Sequence, residues 1–201
     1  MNYLAHIFLS PENDLVTLGN FMADHVKGNK YKLYAPDLQK GNLLHRQIDS
    51  FTDAHELVRK SKRRLDDRYG LYRGIIIDIL YDHVLAKNWT LYSDIPLAIY
   101  TQSFYKSLND HYEVLPEKVQ YFSKYLVEQD WLLSYATIEG IQKVFDGMNR
   151  RTGGKSNMNL AVKDLVDHYD DFESDFTTFF KELVNFSNTK ILEINKLYDK
   201  K

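Results

Sequence analysis

The 201-residue sequence contains no cysteine. That excludes a disulfide scaffold, a thiolate metal site and a cysteine nucleophile in one stroke. Proline and glycine are sparse, at 4 and 9 residues, which excludes a collagen-like or low-complexity chain. Charge of one sign is lacking too: 26 Lys and Arg face 28 Asp and Glu, a formal net of −2, so nothing pulls the chain as a whole toward nucleic acid. No apolar run approaches the ~20 residues of a membrane span. The opening Met1 to Ser10 has no basic start, and His6 interrupts its apolar stretch, so it does not read as a signal peptide. The expectation is a cytoplasmic protein without a nucleic-acid or membrane partner.

What is present is helical periodicity nearly throughout. Val16, Phe21 and Met22 mark one helix, closed by Gly28; a second follows Pro36 and carries Leu38, Leu43, Leu44, Ile48 and Phe51. Residues 54–68 form a short basic helix ended by Gly70, and 73–88 an almost continuously apolar one. Further helices are predicted over 94–112, 117–134 and 137–150, with a long one from 157. Alternating strand patterns with hairpin turns are missing. The predicted architecture is a single-domain, all-α helical bundle of about seven to eight helices. Arg150 to Asn157, with its paired glycines, reads as a mobile helix connection.

The apolar helix at 73–88 poses a chemical problem, because Asp78, Asp82 and His83 interrupt it. Asp78 and Asp82 are four residues apart and share a stripe. Two like charges on a buried stripe repel, and each forfeits hydration worth several kcal/mol. They must be protonated, paired with a basic residue such as Arg46 on another helix, or bound to a cation. The second helix repeats the pattern with His45 and Asp49, and with Asp53 four further on, although Thr52-Asp53 also reads as a cap for the next helix. Asp24 and His6 stand in two more apolar segments. Imidazole and carboxylate without sulfur is the ligand set of Mn, Fe, Mg or Zn, and bundles house metal sites with such inward-facing pairs. His55, His111 and His168 lie in polar surroundings and read as surface residues. The aromatic residues Phe172, Phe176, Phe179 and Phe180 read as a packing stripe on an acidic amphipathic helix.

Four ordered motifs carry a resemblance. They are Asn2-Tyr3-Leu4-Ala5-His6, Gly19-Asn20-Phe21-Met22-Ala23-Asp24, His45 through Asp53, and Asp78 through Trp89. With Tyr125-Leu126, Trp131-Leu132, Tyr135, Gly147 through Arg151 and His168-Tyr169, they resemble the bacterial acyl carrier protein phosphodiesterase family. The likeness spans nearly the whole chain, residues 1–184, and leaves 185–201 as a C-terminal helical tail extension. It implies an HD-like all-α enzyme of lipid metabolism that hydrolyses the phosphodiester between 4'-phosphopantetheine and a serine of the holo-carrier protein. The implied metal is Mn²⁺, with Mg²⁺ or Fe²⁺ as alternatives. The doublet reads Asp82-His83 rather than His-Asp, so the ligand order of HD enzymes does not transfer.

On this basis Asp24, His45, Asp78, Asp82 and His6 are the expected metal ligands. Asp49 is expected to orient His45, Arg46 to clamp the phosphate and His83 to protonate the leaving oxygen. Between Ala54 and Gly74 the chain carries seven basic and three acidic side chains. Within that segment Arg59, Lys60, Lys62, Arg63 and Arg64 are the expected docking residues for the acidic carrier protein. Two other functions fit the same residues: an HD-like metal phosphohydrolase acting on a nucleotide or other small phosphodiester, and a non-enzymatic helical binding protein whose buried acids are salt-bridged.

Overall fold

The computed structural model describes residues 1–199, and among these it is all-α, without strands. Eleven α-helices follow one another. They are α1 (Tyr3–Phe8), α2 (Asp14–Phe21), α3 (Pro36–Ala54), α4 (Glu56–Arg64), α5 (Arg73–Lys87), α6 (Leu97–Asp110), α7 (Glu117–Glu128), α8 (Trp131–Ser134), α9 (Ile138–Arg151), α10 (Ala161–Asp167) and α11 (Tyr169–Tyr198). The excess over seven to eight comes from short pieces and breaks. The apolar opening is itself a helix; Asp130, with φ +46°, separates α7 from α8; and His168, with φ −128°, interrupts the expected long helix between α10 and α11.

Local chemistry sets the helix starts. Pro36 occupies the first turn of α3, where its missing N–H costs nothing. The side chains of Asn13 and Thr137 accept the amides of Val16 and Gly140, capping α2 and α9. His55, and not Asp53, caps α4: its Nδ1 accepts the Leu57 amide, and Nε2 faces Glu182 at 3.2 Å, so His55 is tied down rather than free at the surface. Asp53 is exposed and pairs with Lys62 at 3.0 Å.

The apolar helix α5 lies at the centre, with Ile76, Ile77, Ile79, Leu80, Val84 and Leu85 all buried. The Phe172, Phe176, Phe179 and Phe180 stripe of α11 is fully buried, as its spacing predicts. The Arg150–Asn157 connection is held rather than mobile. Ser156 is buried, and its hydroxyl meets both Asn149 Oδ1 and Thr152 Oγ1.

Two contacts govern the half of the molecule that carries the site. Helices α2 and α3 cross with backbone against backbone: a Cβ on Gly19 would stand 2.3 Å from the Leu38 carbonyl oxygen, and one on Gly41 2.0 Å from that of Val16. Elsewhere, Asp175 of α11 is buried among Lys60 (2.9 Å), Arg64 (2.9 Å) and Ser61 (3.1 Å), so α4 is clamped to α11.

Gly41→Ala should therefore cost about 2 kcal/mol or more, because a backbone clash leaves no side chain to swing aside; thermal melting of the purified variant measures it. Breaking the α4–α11 clamp by Asp175→Asn should cost about 3 kcal/mol, lowering Tm by roughly 6–12 °C. Burial opposes ionisation of Asp175, but Lys60 and Arg64 outweigh it and hold the carboxyl below its usual value. A depressed carboxylate contributes stability above its unfolded pKa of about 3.9 and loses it as pH falls through the folded one. The gap between wild type and variant should thus be full at neutral pH and close in acid.

Candidate metal centre

Helices α1, α2 and α3 meet where His6, His45 and Asp49 converge. Their candidate ligand atoms all lie within 4.8 Å of one another. The imidazoles of His6 and His45 stack with centroids 4.0 Å apart, and both are buried. His6 Nε2 is 3.2 Å from one Asp49 oxygen, and His45 Nε2 is 3.0 Å from the other. Asp24 adds a carboxylate 3.2 Å from His45 Nε2; with its side chain 62% exposed, it marks the opening to solvent. The α-amino nitrogen of Met1 lies 3.5 Å from the same Asp49 oxygen that His6 faces, and 3.3 Å from Asp78.

Both rings are aimed by one residue. Asn20 is fully buried in α2, and its carbonyl accepts the Nδ1 proton of His45 at 2.9 Å. Its side-chain nitrogen donates to the His6 carbonyl and to Ser10 Oγ, which turns its Oδ1 toward His6 Nδ1 at 2.8 Å. With the Nδ1 positions committed as donors, both rings turn Nε2 inward, the arrangement that outer contacts impose on metal-ligating histidines. The glycine crossing at Gly19 and Gly41 is what lets α2 come close enough to α3 for this contact.

The electrostatics describe a cluster short of positive charge. Burial, then repulsion from His45, push His6 down to about 4, so the ring is neutral. Its Nε2 lone pair therefore faces a carboxylate oxygen, and the buried atom has no hydrogen-bond partner. For His45 burial lowers the pKa, but the Asp24 and Asp49 carboxylates prevail and raise it to about 9. Burial also opposes ionisation of Asp49, yet its hydrogen bond with His45, aided by the Met1 ammonium, holds it well below the carboxylate range. Asp24 is lowered, chiefly by the His45 hydrogen bond. A divalent cation in place of the His45 proton would engage that lone pair, the orphaned His6 lone pair and the carboxylates together. This nitrogen–oxygen donor set fits such an ion.

Not every expected residue joins the cluster. Asp82 is fully buried, but its two oxygens accept the amides of Leu4 (2.7 Å) and Ala5 (3.1 Å) at the start of α1. Amide protons of the first turn of α1 thus hold this carboxyl group, and it is not among the residues whose ligand atoms converge at His6, His45 and Asp49. Burial raises its pKa to about 7, partly offset by those amides. Asp78 is half-buried and turned to the Met1 nitrogen; burial raises it, and that nitrogen's charge opposes the rise. Among the described residues, no Arg or Lys side chain forms an ion pair with either acid.

Arg46, the expected phosphate clamp, is engaged within the fold. Its guanidinium donates to the Val26 and Gly28 carbonyls and lies 4.9 Å over the Tyr31 ring, holding the 26–31 turn. His83 is buried with Nδ1 donating to the Tyr135 carbonyl at 2.7 Å, away from any opening, so the structure does not offer it to a leaving oxygen. On α4, Lys60 and Arg64 are tied to Asp175, Lys62 to Asp53, and Arg59 to the Asp53 carbonyl; Arg63 is exposed. Asn20 was legible only as a lone amide among Leu18, Phe21 and Met22.

The acyl carrier protein phosphodiesterase family model matches residues 1–183. The chain belongs to that family. A protein named acyl carrier protein phosphodiesterase from Photorhabdus laumondii is 34% identical over 191 residues, 94% of this chain and 96% of that one. Another of that name from Pectobacterium atrosepticum is 32% identical over 193 residues, 96% of this chain and all of the relative. One from Escherichia coli is 31% identical over 196 residues, again the full relative. No solved structure matches. The family match stops at 183, whereas α11 continues unbroken to Tyr198. Among the described residues no helix is long and apolar enough to cross a membrane.

Asp49→Ala and Asp82→Ala separate ligand from scaffold. Metal content measured after Mn²⁺ loading should fall to background in Asp49→Ala. Asp82→Ala should keep its metal and instead lose about 2 kcal/mol of stability through two stranded amides. Metal loss in Asp82→Ala as a folded protein would reverse the assignment.

Proposed function

We propose that this protein is a metal-dependent phosphodiesterase that cleaves the bond between 4'-phosphopantetheine and the serine of holo-acyl carrier protein, releasing the apo-carrier. The reading brings together the family to which the chain belongs and a cluster whose donors suit a divalent ion. The single observation that carries it is the paired aim of two histidine Nε2 atoms at one carboxylate, beside an acid open to solvent. His6, His45 and Asp49 hold the ion, Asp24 completes the set at the opening, and Asp78 adds negative charge behind it. Mn²⁺ is the preferred ion, and the cytoplasm, where the carrier substrate resides, is the preferred location.

The chemistry asks for three things: neutralisation of an anionic phosphoryl group, a water nucleophile and a place for the departing alkoxide. When bound, a divalent cation polarises the phosphoryl oxygen and lowers the pKa of water. The protein's own residues do the rest. Asn20 keeps both rings in the ligating tautomer, and exposed Asp24 is placed to orient water at the opening. Tyr3 keeps its proton, its pKa raised to about 12 by burial and the Asp24 charge, and supplies a neutral hydrogen-bond donor near that acid.

Purified protein incubated with holo-carrier protein and Mn²⁺ should release the phosphopantetheine arm, read as a mass loss on the carrier, and chelator should stop it. A carrier mass that never changes, with metal bound to the cluster, would contradict the reading.

A further inference from the structure

The opening at Asp24 adjoins one helix face that the fold itself does not use. Phe122 of α7 stacks on Tyr3 with centroids 5.6 Å apart and packs 5.4 Å from His25, the neighbour of Asp24. This ring joins α7 to the wall of the site. Beyond it, Tyr121 and Tyr125 stand one turn apart, 69% and 42% exposed, with their rings 5.6 Å from each other. Two large aromatic side chains left in water contribute little to this core, whereas amphipathic rings of this kind anchor protein contacts.

Positive charge gathers at the same place. Lys118 is one turn before Phe122 on α7, hence on the same face. Arg151 ends α9 on a connection held by Ser156 and Asn149. Both cations act electrostatically on His25, and Arg151 acts on Tyr3 as well. Among the described residues neither forms an ion pair, in contrast to Lys60, Lys62 and Arg64 of α4, which are taken up by Asp175 and Asp53. Unpaired cations and exposed rings beside a site that must accept an anionic diester attached to a protein serine are complementary to that substrate.

We propose that Lys118, Tyr121, Phe122 and Tyr125 of α7, together with Arg151, form the surface that receives the protein side of the phosphodiester substrate. This rests on the carrier-protein reading above. The partner is a folded protein whose serine-linked phosphodiester enters over Asp24, its phosphate drawn by Arg151 and Lys118 and its surface seated on the tyrosine pair. Substrate docking thereby moves from α4 to α7.

The test uses two double variants, Tyr121→Ala combined with Tyr125→Ala and Lys118→Glu combined with Arg151→Glu, with Lys181→Glu, an exposed position on α11, as a charge-reversal control. KM for holo-carrier protein should rise about tenfold in each double variant with kcat changed much less, and apo-carrier binding by calorimetry should weaken in parallel. Lys181→Glu should behave as wild type. Metal content and melting temperature should stay at wild-type values in both doubles, which separates docking from folding. If wild-type protein removes the arm but both doubles retain wild-type KM and carrier affinity, the α7 surface is wrong while the function stands. If wild-type protein leaves the carrier untouched, the function itself fails; carrier affinity then decides the α7 surface alone, overturned if both doubles bind like wild type.

Discussion

Everything around this centre depends on where two protons sit. Asn20 takes the Nδ1 hydrogen of His45 on its backbone oxygen and that of His6 on its side-chain oxygen. A backbone carbonyl can only accept, so His45 has no second choice, and the donors on the Asn20 amide fix its orientation toward His6. Once those positions are spent, both remaining nitrogens turn to Asp49. Without a cation, the buried His6 lone pair faces a carboxylate whose charge is met only by protonated His45 and the Met1 ammonium.

That constraint reaches back into the packing. Asn20 meets α3 because Gly19 and Gly41 remove the side chains that would hold the two helices apart. The helix pair is therefore a device for positioning as well as a piece of core. Asp82 plays a related role at one remove: by accepting the first amides of α1 it fixes the segment that carries Tyr3 and His6. Those two amide bonds give the buried carboxyl group partners and tie α5 to the start of α1.

Much of the fold was legible because helix periodicity and apolar continuity are local properties. The α5 core, the α11 phenylalanine stripe and the start of α3 at Pro36 all follow from spacing and caps. Breaks at Asp130 and His168 were not legible, since each depends on backbone angles set by distant packing. In the site, His45 and Asp49 were legible as an i, i+4 pair on an inward face, and His6 and Asp24 as polar interruptions of apolar segments. The partners of Asp82 were not legible, because periodicity reveals burial and says nothing of what a buried carboxylate touches 78 residues earlier in the chain. The contacts of Arg46 were not legible either: its backbone neighbours His45, while its long side chain reaches the carbonyls of the 26–28 turn. The charge of α4 likewise showed a basic helix without showing the acids that neutralise it.

The most direct test of the central claim is anomalous diffraction from crystals of the protein soaked in Mn²⁺. The account predicts one strong peak bonded to Nε2 of both His6 and His45 and to Asp49, with both Nδ1 atoms still on Asn20. A peak at Asp82 instead, or crystals that take up Mn²⁺ nowhere near the stacked imidazoles, would contradict it.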